Sequence, residues 1–299
     1  MSQKKIAIVT GSNKGVGLEI VKGLATKFDG DVYLTARNVE RGMLALKELE
    51  QNGIKAYFHQ LDIDDKSSVE KLRDYIKQRY GGIDVLVNNA GIMPEEDNRT
   101  KTDSMHVLAK VTIGTNYFGT KEVCNTLFPI LKQGARVVNV SSAAGFLLNV
   151  SGDEPAAGTL RKALASSDST LTIKELDEFM NQFIEAMKDG TFKAKGWGES
   201  TYFASKVGLS ALTRIQQREL MKDERQDIAI NHVHPGLVAT DMTSQLPSEY
   251  RELAISPEQG AKSSIYCALL PPNTDIKGKY VWHDCQIVDW VNGPKPSDF

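Results

Sequence analysis

The chain is poor in cysteine, in long apolar runs and in net charge. Its three cysteines, Cys124, Cys267 and Cys285, are too few and too widely spaced for a disulfide framework. No apolar run approaches the ~18 residues of a membrane-spanning helix, and the residues after Met1 do not form a secretory signal. The formal net charge of −2 gives no general attraction to nucleic acid or to anionic membranes. We therefore expect a cytoplasmic protein without nucleic-acid or membrane partners.

The chain instead shows a regular alternation of strand-like and helix-like segments. Strands are predicted at residues 6–10, 31–36, 55–61, 85–88, 136–140 and 228–234. Helices are predicted at residues 15–28, 39–49, 67–80, 112–131 and 201–221. Strands separated by helices form βαβ units with right-handed connections. The sequence therefore predicts an α/β fold in which residues 1–299 form a single domain around a doubly wound parallel sheet of the Rossmann type.

Residues 143–200 interrupt this alternation, and we interpret them as an insertion within the domain. Thr172-Ile173-Lys174-Glu175 matches a helix capping box, and Gly190 can end the helix. The apolar residues between them fall on one side: Ile173, Leu176, Phe179, Met180, Phe183, Ile184 and Met187. We expect this side to cover the neighbouring helix 201–221 and to leave the protein a monomer.

A glycine-rich turn joins the first predicted strand to the first predicted helix. It reads Thr10-Gly11-Ser12-Asn13-Lys14-Gly15-Val16-Gly17, a G-x-x-x-G-x-G spacing. Glycines let the backbone approach a pyrophosphate, and the helix N-terminus adds free N–H groups and a positive dipole. The turn therefore predicts a dinucleotide site that includes Gly11, Asn13, Lys14, Gly15, Val16 and Gly17. The alternative is that the glycines only permit a tight turn.

The choice of dinucleotide depends on the residue about 20 positions after this turn, where a carboxylate would bind the ribose 2′-hydroxyl. That position holds Arg37, and Lys14 adds a second cation. Because a carboxylate would repel a 2′-phosphate and cations would bind it, we predict NADP, as NADPH. One charged hydrogen bond of roughly 1.5–3 kcal/mol gives about a tenfold to hundredfold preference. The alternative is that both cations are ordinary solvated surface charges.

Tyr202 and Lys206 lie four residues apart on a predicted helix and so share one of its faces. A free phenol has a pKa near 10, and a neighbouring ammonium lowers the pKa of that phenol because it favours phenolate. The pair therefore predicts a proton carrier that can work near neutral pH. A lone Y-x-x-x-K spacing is common, so the pair needs support from other motifs.

The chain contains further motifs before and after the pair, and their order along the sequence is informative. They are the turn at residues 10–17, Asn88-Asn89-Ala90-Gly91, Asn116, Asn139-Val140-Ser141-Ser142, Tyr202 with Lys206, and Pro235-Gly236. With these motifs the chain resembles the short-chain dehydrogenase/reductase family over nearly its whole length. It is most similar to the monomeric carbonyl reductases in Asn13-Lys14-Gly15, in Leu34-Thr35-Ala36-Arg37, in residues 59–65, in the insertion before Tyr202 and in residues 268–272.

The resemblance implies NADPH-dependent reduction of aldehydes, ketones and quinones to alcohols by hydride transfer. Ser142 would hydrogen-bond the carbonyl oxygen, and Tyr202 would donate a proton to it. Lys206 would hold the nicotinamide ribose and tune Tyr202, while Asn116 would support a water that relays protons. The further cofactor-binding residues implied are Asp62 and Ile63 at the adenine, Asn89 at the adenosine ribose, and Pro235, Gly236, Val238 and Thr240 at the nicotinamide.

Two other functions remain open from the sequence. An NADP-linked alcohol or steroid dehydrogenase working oxidatively would use the same residues. A non-catalytic dinucleotide sensor would lack Ser142, Tyr202 or Lys206, and all three are present. His232 and His234 share a face of a predicted strand, but no further ligand cluster accompanies them, so we predict no metal site.

Overall fold

A single mostly parallel sheet forms the centre of the protein. The computed structural model describes residues 4–93, 104–150, 157–166, 169–244 and 246–293. Within these residues, eight strands follow the order β3-β2-β1-β4-β5-β6-β7-β8, and β8 alone runs antiparallel to its neighbour. The strands are β1 (Ile6–Val9), β2 (Asp31–Ala36), β3 (Tyr57–Gln60), β4 (Ile83–Asn88), β5 (Leu131–Val140), β6 (Ala229–Val233), β7 (Tyr280–Val281) and β8 (Ile287–Val288).

Helices cover both faces of this sheet. They are α1 (Gly15–Lys27), α2 (Val39–Gln51), α3 (Lys66–Tyr80), α4 (Met105–Ile113), α5 (Thr120–Leu127), α6 (Ala157–Ala165), α7 (Ile173–Asp189), α8 (Thr201–Leu220), α9 (Ser248–Arg251) and α10 (Pro257–Ala268). Because side chains alternate along a strand, Ile6 and Ile8 pack with α3 and α5, whereas Ala7 and Val9 pack with α1, α2 and α10. The predicted fold class, a doubly wound parallel sheet, is confirmed.

The strand order places a crevice between β1 and β4. The chain runs from β1 to β2 and β3 on one side and then returns to β4 on the other side. Ligands of doubly wound sheets bind outside the carboxyl ends of the strands at such a reversal. The glycine-rich turn follows β1 and Asn89 follows β4, so both lie at this crevice.

The predicted helix 112–131 was wrong at its start, in its continuity and at its end, because α4 already begins at Met105. A π-helical segment, Gly114–Gly119, separates α4 from α5, and a 3-10 turn, Phe128–Ile130, follows α5. Pro129 lacks a backbone N–H and its ring clashes with the preceding turn, which accounts for the end of α5. Leu131 already belongs to β5.

The insertion packs against the helices beside the crevice. The predicted capping box between Thr172 and Glu175 is present at the start of α7, and Gly190 ends α7 with φ +70°. The apolar side of α7 contacts α4 and α8. Asp177 accepts hydrogen bonds from Tyr117 Oη at 2.8 Å and from Lys121 Nζ at 2.6 Å. The insertion therefore adds to the protein's own core.

Candidate active site

The glycine-rich turn requires glycine at several positions. Gly11 and Gly15 have φ of +57° and +56°, in the left-handed region that favours glycine. A Cβ on Gly17 would lie 2.4 Å from Asn89 Nδ2, and one on Gly11 would lie 2.8 Å from Ala90 Cα. Asn13 and Val16 are half-buried between these glycines. The helix α1 begins at Gly15 without a side-chain cap, so its first N–H groups can face a phosphate.

Asn89 ties the loop after β4 to the loop after β1. Its Nδ2 donates to the carbonyl oxygens of Thr10 at 2.9 Å and Gly11 at 3.0 Å. In return, Thr10 Oγ1 accepts from the backbone N–H groups of Asn89 and Ala90, each at 3.0 Å. The side chain of Asn89 thus holds the backbone around the crevice in place.

The two predicted phosphate-binding cations follow adjacent strands. Lys14 follows β1 and Arg37 follows β2, and the side chains of both are exposed. Lys14 Nζ lies 2.6 Å from Asp241 Oδ2, a partner that no sequence spacing indicated. Burial raises the pKa of the Asp64 carboxyl, and the positive charge of Arg37 partly opposes this rise. Lys14 is therefore already paired with a carboxylate in the structure.

The segment predicted to flank the adenine follows β3. The backbone N–H of Asp62 donates to Ser68 Oγ at 3.0 Å, and Asp62 Oδ1 accepts from the N–H of Asp64 at 3.1 Å. Ile63 is buried among the apolar residues of the neighbouring core. Both residues therefore fix the turn between β3 and α3.

The predicted nicotinamide segment approaches the glycine-rich turn. Pro235 and Gly236 follow β6, and Gly236 has φ +91°. Val238 forms a β-bridge with Ile255, which ties the segment to the stretch before α10. Thr240 Cγ2 lies 3.3 Å from the position that a Cβ on Gly15 would occupy. The segment therefore reaches the glycine-rich turn.

Tyr202 and Lys206 are brought together at the start of α8. Ser200 Oγ caps the helix by accepting from the N–H of Phe203 at 3.2 Å. Lys206 Nζ lies 5.5 Å from the ring centroid of Tyr202 and donates to the carbonyl of Val140 at 2.9 Å. Burial lowers the pKa of Lys206 to about 8. At pH 7 most molecules therefore carry an ammonium beside the phenol ring.

Asn116 lies in the π-helical segment, a distortion that occurs frequently at functional sites. Its Oδ1 accepts from the N–H of Ile92 at 2.8 Å, and its Nδ2 donates to Ser205 Oγ at 2.9 Å. A Cβ on Gly91 would lie 3.1 Å from Asn116 Oδ1 and 3.6 Å from Lys206 Nζ. Asn116 and Lys206 therefore border the same glycine.

Ser142 follows the carboxyl end of β5, and its neighbour Ser141 has a different role. Ser141 Oγ is buried against α8, 2.8 Å from Ser210 Oγ. Ser142 is half-buried; its Oγ accepts from the N–H of Ala144 at 3.2 Å, and its carbonyl accepts from Tyr280 Oη at 2.7 Å. The contact with Tyr280 was not predicted, because nothing in the sequence near residue 280 indicates a partner so distant along the chain.

The two histidines lie in the core of the protein. His232 is fully buried and stacks on Tyr280, with ring centroids 4.7 Å apart. His234 Nδ1 accepts from the N–H of Ala143 at 2.9 Å. Among the described parts of the chain, no three His, Cys, Asp or Glu side chains are grouped closely enough to hold a metal ion.

None of the helices described in the structure is long and apolar enough to cross a membrane.

The chain is similar to known proteins over nearly its whole length. A family model described as short chain dehydrogenase matches residues 5–153 and 190–251 and leaves out the stretch that contains α6 and α7. The chain is 43% identical over 271 residues to carbonyl reductase (NADPH) 1 of Homo sapiens, covering 90% of this chain and 92% of that protein. It is 43% identical over 293 residues to carbonyl reductase (NADPH) 3 of Rattus norvegicus, covering 97% and 99%. The structure of salutaridine reductase from Papaver somniferum, at 28% identity and a TM-score of 0.79, covers 94% of this chain and 100% of that one.

Proposed function

The chain belongs to the short-chain dehydrogenase family, and we propose how its residues carry out the NADPH-dependent reduction of carbonyl compounds to alcohols. The relatives named as NADPH-dependent carbonyl reductases align over nearly its whole length. Ser142, Tyr202, Lys206 and Asn116 each have a separate role in this reaction. The observation that carries this proposal is the buried Lys206 ammonium beside the ring of Tyr202.

The crevice fits a dinucleotide. A Cβ on Gly11 or Gly17 would occupy space within 3 Å of neighbouring atoms, so only glycine leaves the backbone in this position. The uncapped start of α1 offers N–H groups to a pyrophosphate, and Lys14 and Arg37 offer positive charge to a 2′-phosphate. NADPH, when bound, supplies the hydride for the carbonyl carbon.

The chain's own residues manage the charge and the proton at the carbonyl oxygen. Ser142 donates a hydrogen bond from Oγ to this oxygen, which strengthens as negative charge develops there. Tyr202 transfers its phenolic proton to the same oxygen and becomes a phenolate. The nearby Lys206 ammonium stabilises that phenolate. Asn116 fixes the position of the loop at Ile92 and supports the return of a proton to Tyr202.

Lys14 would have to exchange partners when it meets a 2′-phosphate. In the structure Lys14 Nζ pairs with Asp241, and both side chains are largely exposed. An exposed ion pair contributes only about 0–1 kcal/mol, so a dianionic phosphate can displace Asp241 at little cost. Lys14 and Arg37 are therefore both available to the 2′-phosphate of NADPH, and together they favour it over NADH.

We further propose that the protein is a monomer located in the cytoplasm. The insertion helix α7 covers α4 and α8, so these faces are buried within one chain. This packing supports a monomer, and the sparse free cysteines support a cytoplasmic location.

A panel of aldehydes, ketones and quinones tests the activity, with the absorbance of NADPH as the readout. We expect oxidation of NADPH that depends on the carbonyl compound and is lost in Tyr202→Phe. A panel in which no member accelerates NADPH oxidation above the Tyr202→Phe background would contradict the proposal.

A further inference from the structure

Three buried side chains from distant parts of the chain bind the backbone of the turn that carries Ser142, residues 142–145. Tyr280 Oη donates to the carbonyl of Ser142 at 2.7 Å. Trp290 Nε1 donates to the carbonyl of Gly145 at 2.6 Å. His234 Nδ1 accepts from the N–H of Ala143 at 2.9 Å. All three side chains are at most 2% exposed.

The turn also has hydrogen bonds of its own, but these fix only its shape. The N–H of Gly145 donates to the carbonyl of Ser142 at 2.8 Å. Asn149 Nδ2 donates to the carbonyls of Ala143 and Ala144 at 3.1 and 2.8 Å. These bonds join neighbours in sequence, so the turn could move as a unit without breaking them. Its place on the domain needs contacts from outside.

The outside contacts come from a rigid aromatic base. The Tyr280 ring stacks on His232 at 4.7 Å between centroids and meets Phe146 edge-on at 5.5 Å. His234 packs against Trp282 at 4.2 Å. Such packed rings hold the Tyr280 hydroxyl and the His234 ring in single orientations.

The three bonds also persist across the ordinary pH range. Burial lowers the pKa of His234 to about 3, so its ring stays neutral and Nδ1 can accept. Burial, with a smaller effect from Tyr202, raises the pKa of Tyr280 well above the value of a free phenol. Tyr280 therefore remains a donor at every pH used for assay.

The opposite side of the turn meets the helix of Tyr202. A Cβ on Gly145 would lie 2.8 Å from the carbonyl oxygen of Lys206 and 2.5 Å from Ser141 Oγ. The turn is thus held between α8 on one side and the aromatic base on the other. Any shift of the turn changes the distance between Ser142 and Tyr202.

We propose that Tyr280, His234 and Trp290 are positioning residues that hold Ser142 at its working distance from Tyr202, with the Tyr280 hydroxyl as the most direct contact. This inference rests on the proposed role of Ser142. A displacement on the order of 1 Å can reduce the rate of an enzyme up to a hundredfold. Loss of one of three anchors should therefore affect turnover more than cofactor binding.

Tyr280→Phe removes only the hydroxyl and keeps the ring. We expect kcat to fall about tenfold while the KM for NADPH stays within about twofold. Tyr33→Phe is the matched control, because Tyr33 is equally buried and its hydroxyl bonds Tyr75 and Tyr80 in another core. We expect Tyr33→Phe to keep kcat within about twofold of the original protein. Trp290→Phe removes the indole N–H that donates to the carbonyl of Gly145, and we expect it to reduce kcat as much as Tyr280→Phe does. Trp290→Phe takes the place of Tyr280→Phe in this test if Tyr280→Phe does not fold.

A double-mutant cycle separates positioning from a general loss of stability. In a Ser142→Ala background, Tyr280→Phe should change kcat less than about twofold, because the group it positions is gone. An unchanged kcat in Tyr280→Phe, or an equal reduction in both backgrounds, would overturn the positioning role. A Ser142→Ala variant with full kcat would instead overturn the proposed role of Ser142, on which this inference rests, while the carbonyl-reducing activity itself would stand.

Discussion

Gly17→Ala is the substitution for which the structure gives the clearest steric cost at the cofactor crevice. A Cβ at this position would lie 2.4 Å from Asn89 Nδ2 and 2.8 Å from the carbonyl oxygen of Gly11. Ordinary contact needs about 3.5 Å, so a shift on the order of 1 Å is required. The Asn89 amide that must move donates to Thr10 and Gly11, so the shift also disturbs the backbone of the turn.

The expected loss follows from these contacts. Overpacking of this kind typically lowers the free energy of unfolding by about 1–3 kcal/mol, whereas the higher helix propensity of alanine raises it by at most about 1 kcal/mol. We expect a lower melting temperature and at least about a tenfold weaker NADPH affinity, which corresponds to about 1.4 kcal/mol. Gly114→Ala is the control, since a Cβ there meets nothing within 4 Å. Titration of NADPH fluorescence and thermal unfolding measure both quantities. A Gly17→Ala variant that binds NADPH as tightly as Gly114→Ala would contradict the role of the glycine-rich turn in binding the cofactor.

Three further predictions concern the cofactor, the pH profile and the assembly. The double change Lys14→Ala, Arg37→Asp should reverse the preference from NADPH to NADH; if kcat/KM still favours NADPH, the 2′-phosphate binds elsewhere. Burial lowers the pKa of Lys206 to about 8, so the fraction of molecules that carry the Lys206 ammonium decreases as pH rises through 8. We expect kcat/KM for reduction to decrease with it, and a kcat/KM that stays constant from pH 7 to 10 would contradict the role of this ammonium. Light scattering after size exclusion should give a mass near 33.0 kDa, whereas a stable dimer at micromolar concentration would refute the covering role of α7.

Local sequence patterns predicted much of the fold, because the elements follow local rules. The strand 31–36 and the capping box at Thr172 were predicted at their observed positions. The helix 112–131 was less accurate, because a π-helical segment has no periodicity of its own in the sequence. The apolar pattern continues through Gly114–Gly119, and only Pro129 marks where the helical structure must change.

The site was predictable only where a motif lies close together in sequence. Tyr202 and Lys206 are four residues apart, so helix geometry alone brings them to one face. Asp241 opposite Lys14 and Tyr280 behind Ser142 depend on how distant segments meet in the folded sheet. Tyr280 is separated from Ser142 by 138 positions, and no local rule connects two such residues.

The most direct test of the account is the turnover of Tyr202→Phe, measured beside its affinity for NADPH. The substitution removes the proton that the carbonyl oxygen must receive, and it leaves the glycine-rich turn and Lys14 untouched. Since proton donation contributes roughly 10²–10⁴-fold, we expect kcat to fall at least about a hundredfold while NADPH binds with nearly unchanged affinity. Retention of more than about a tenth of the original kcat would contradict the central claim that Tyr202 is the proton donor.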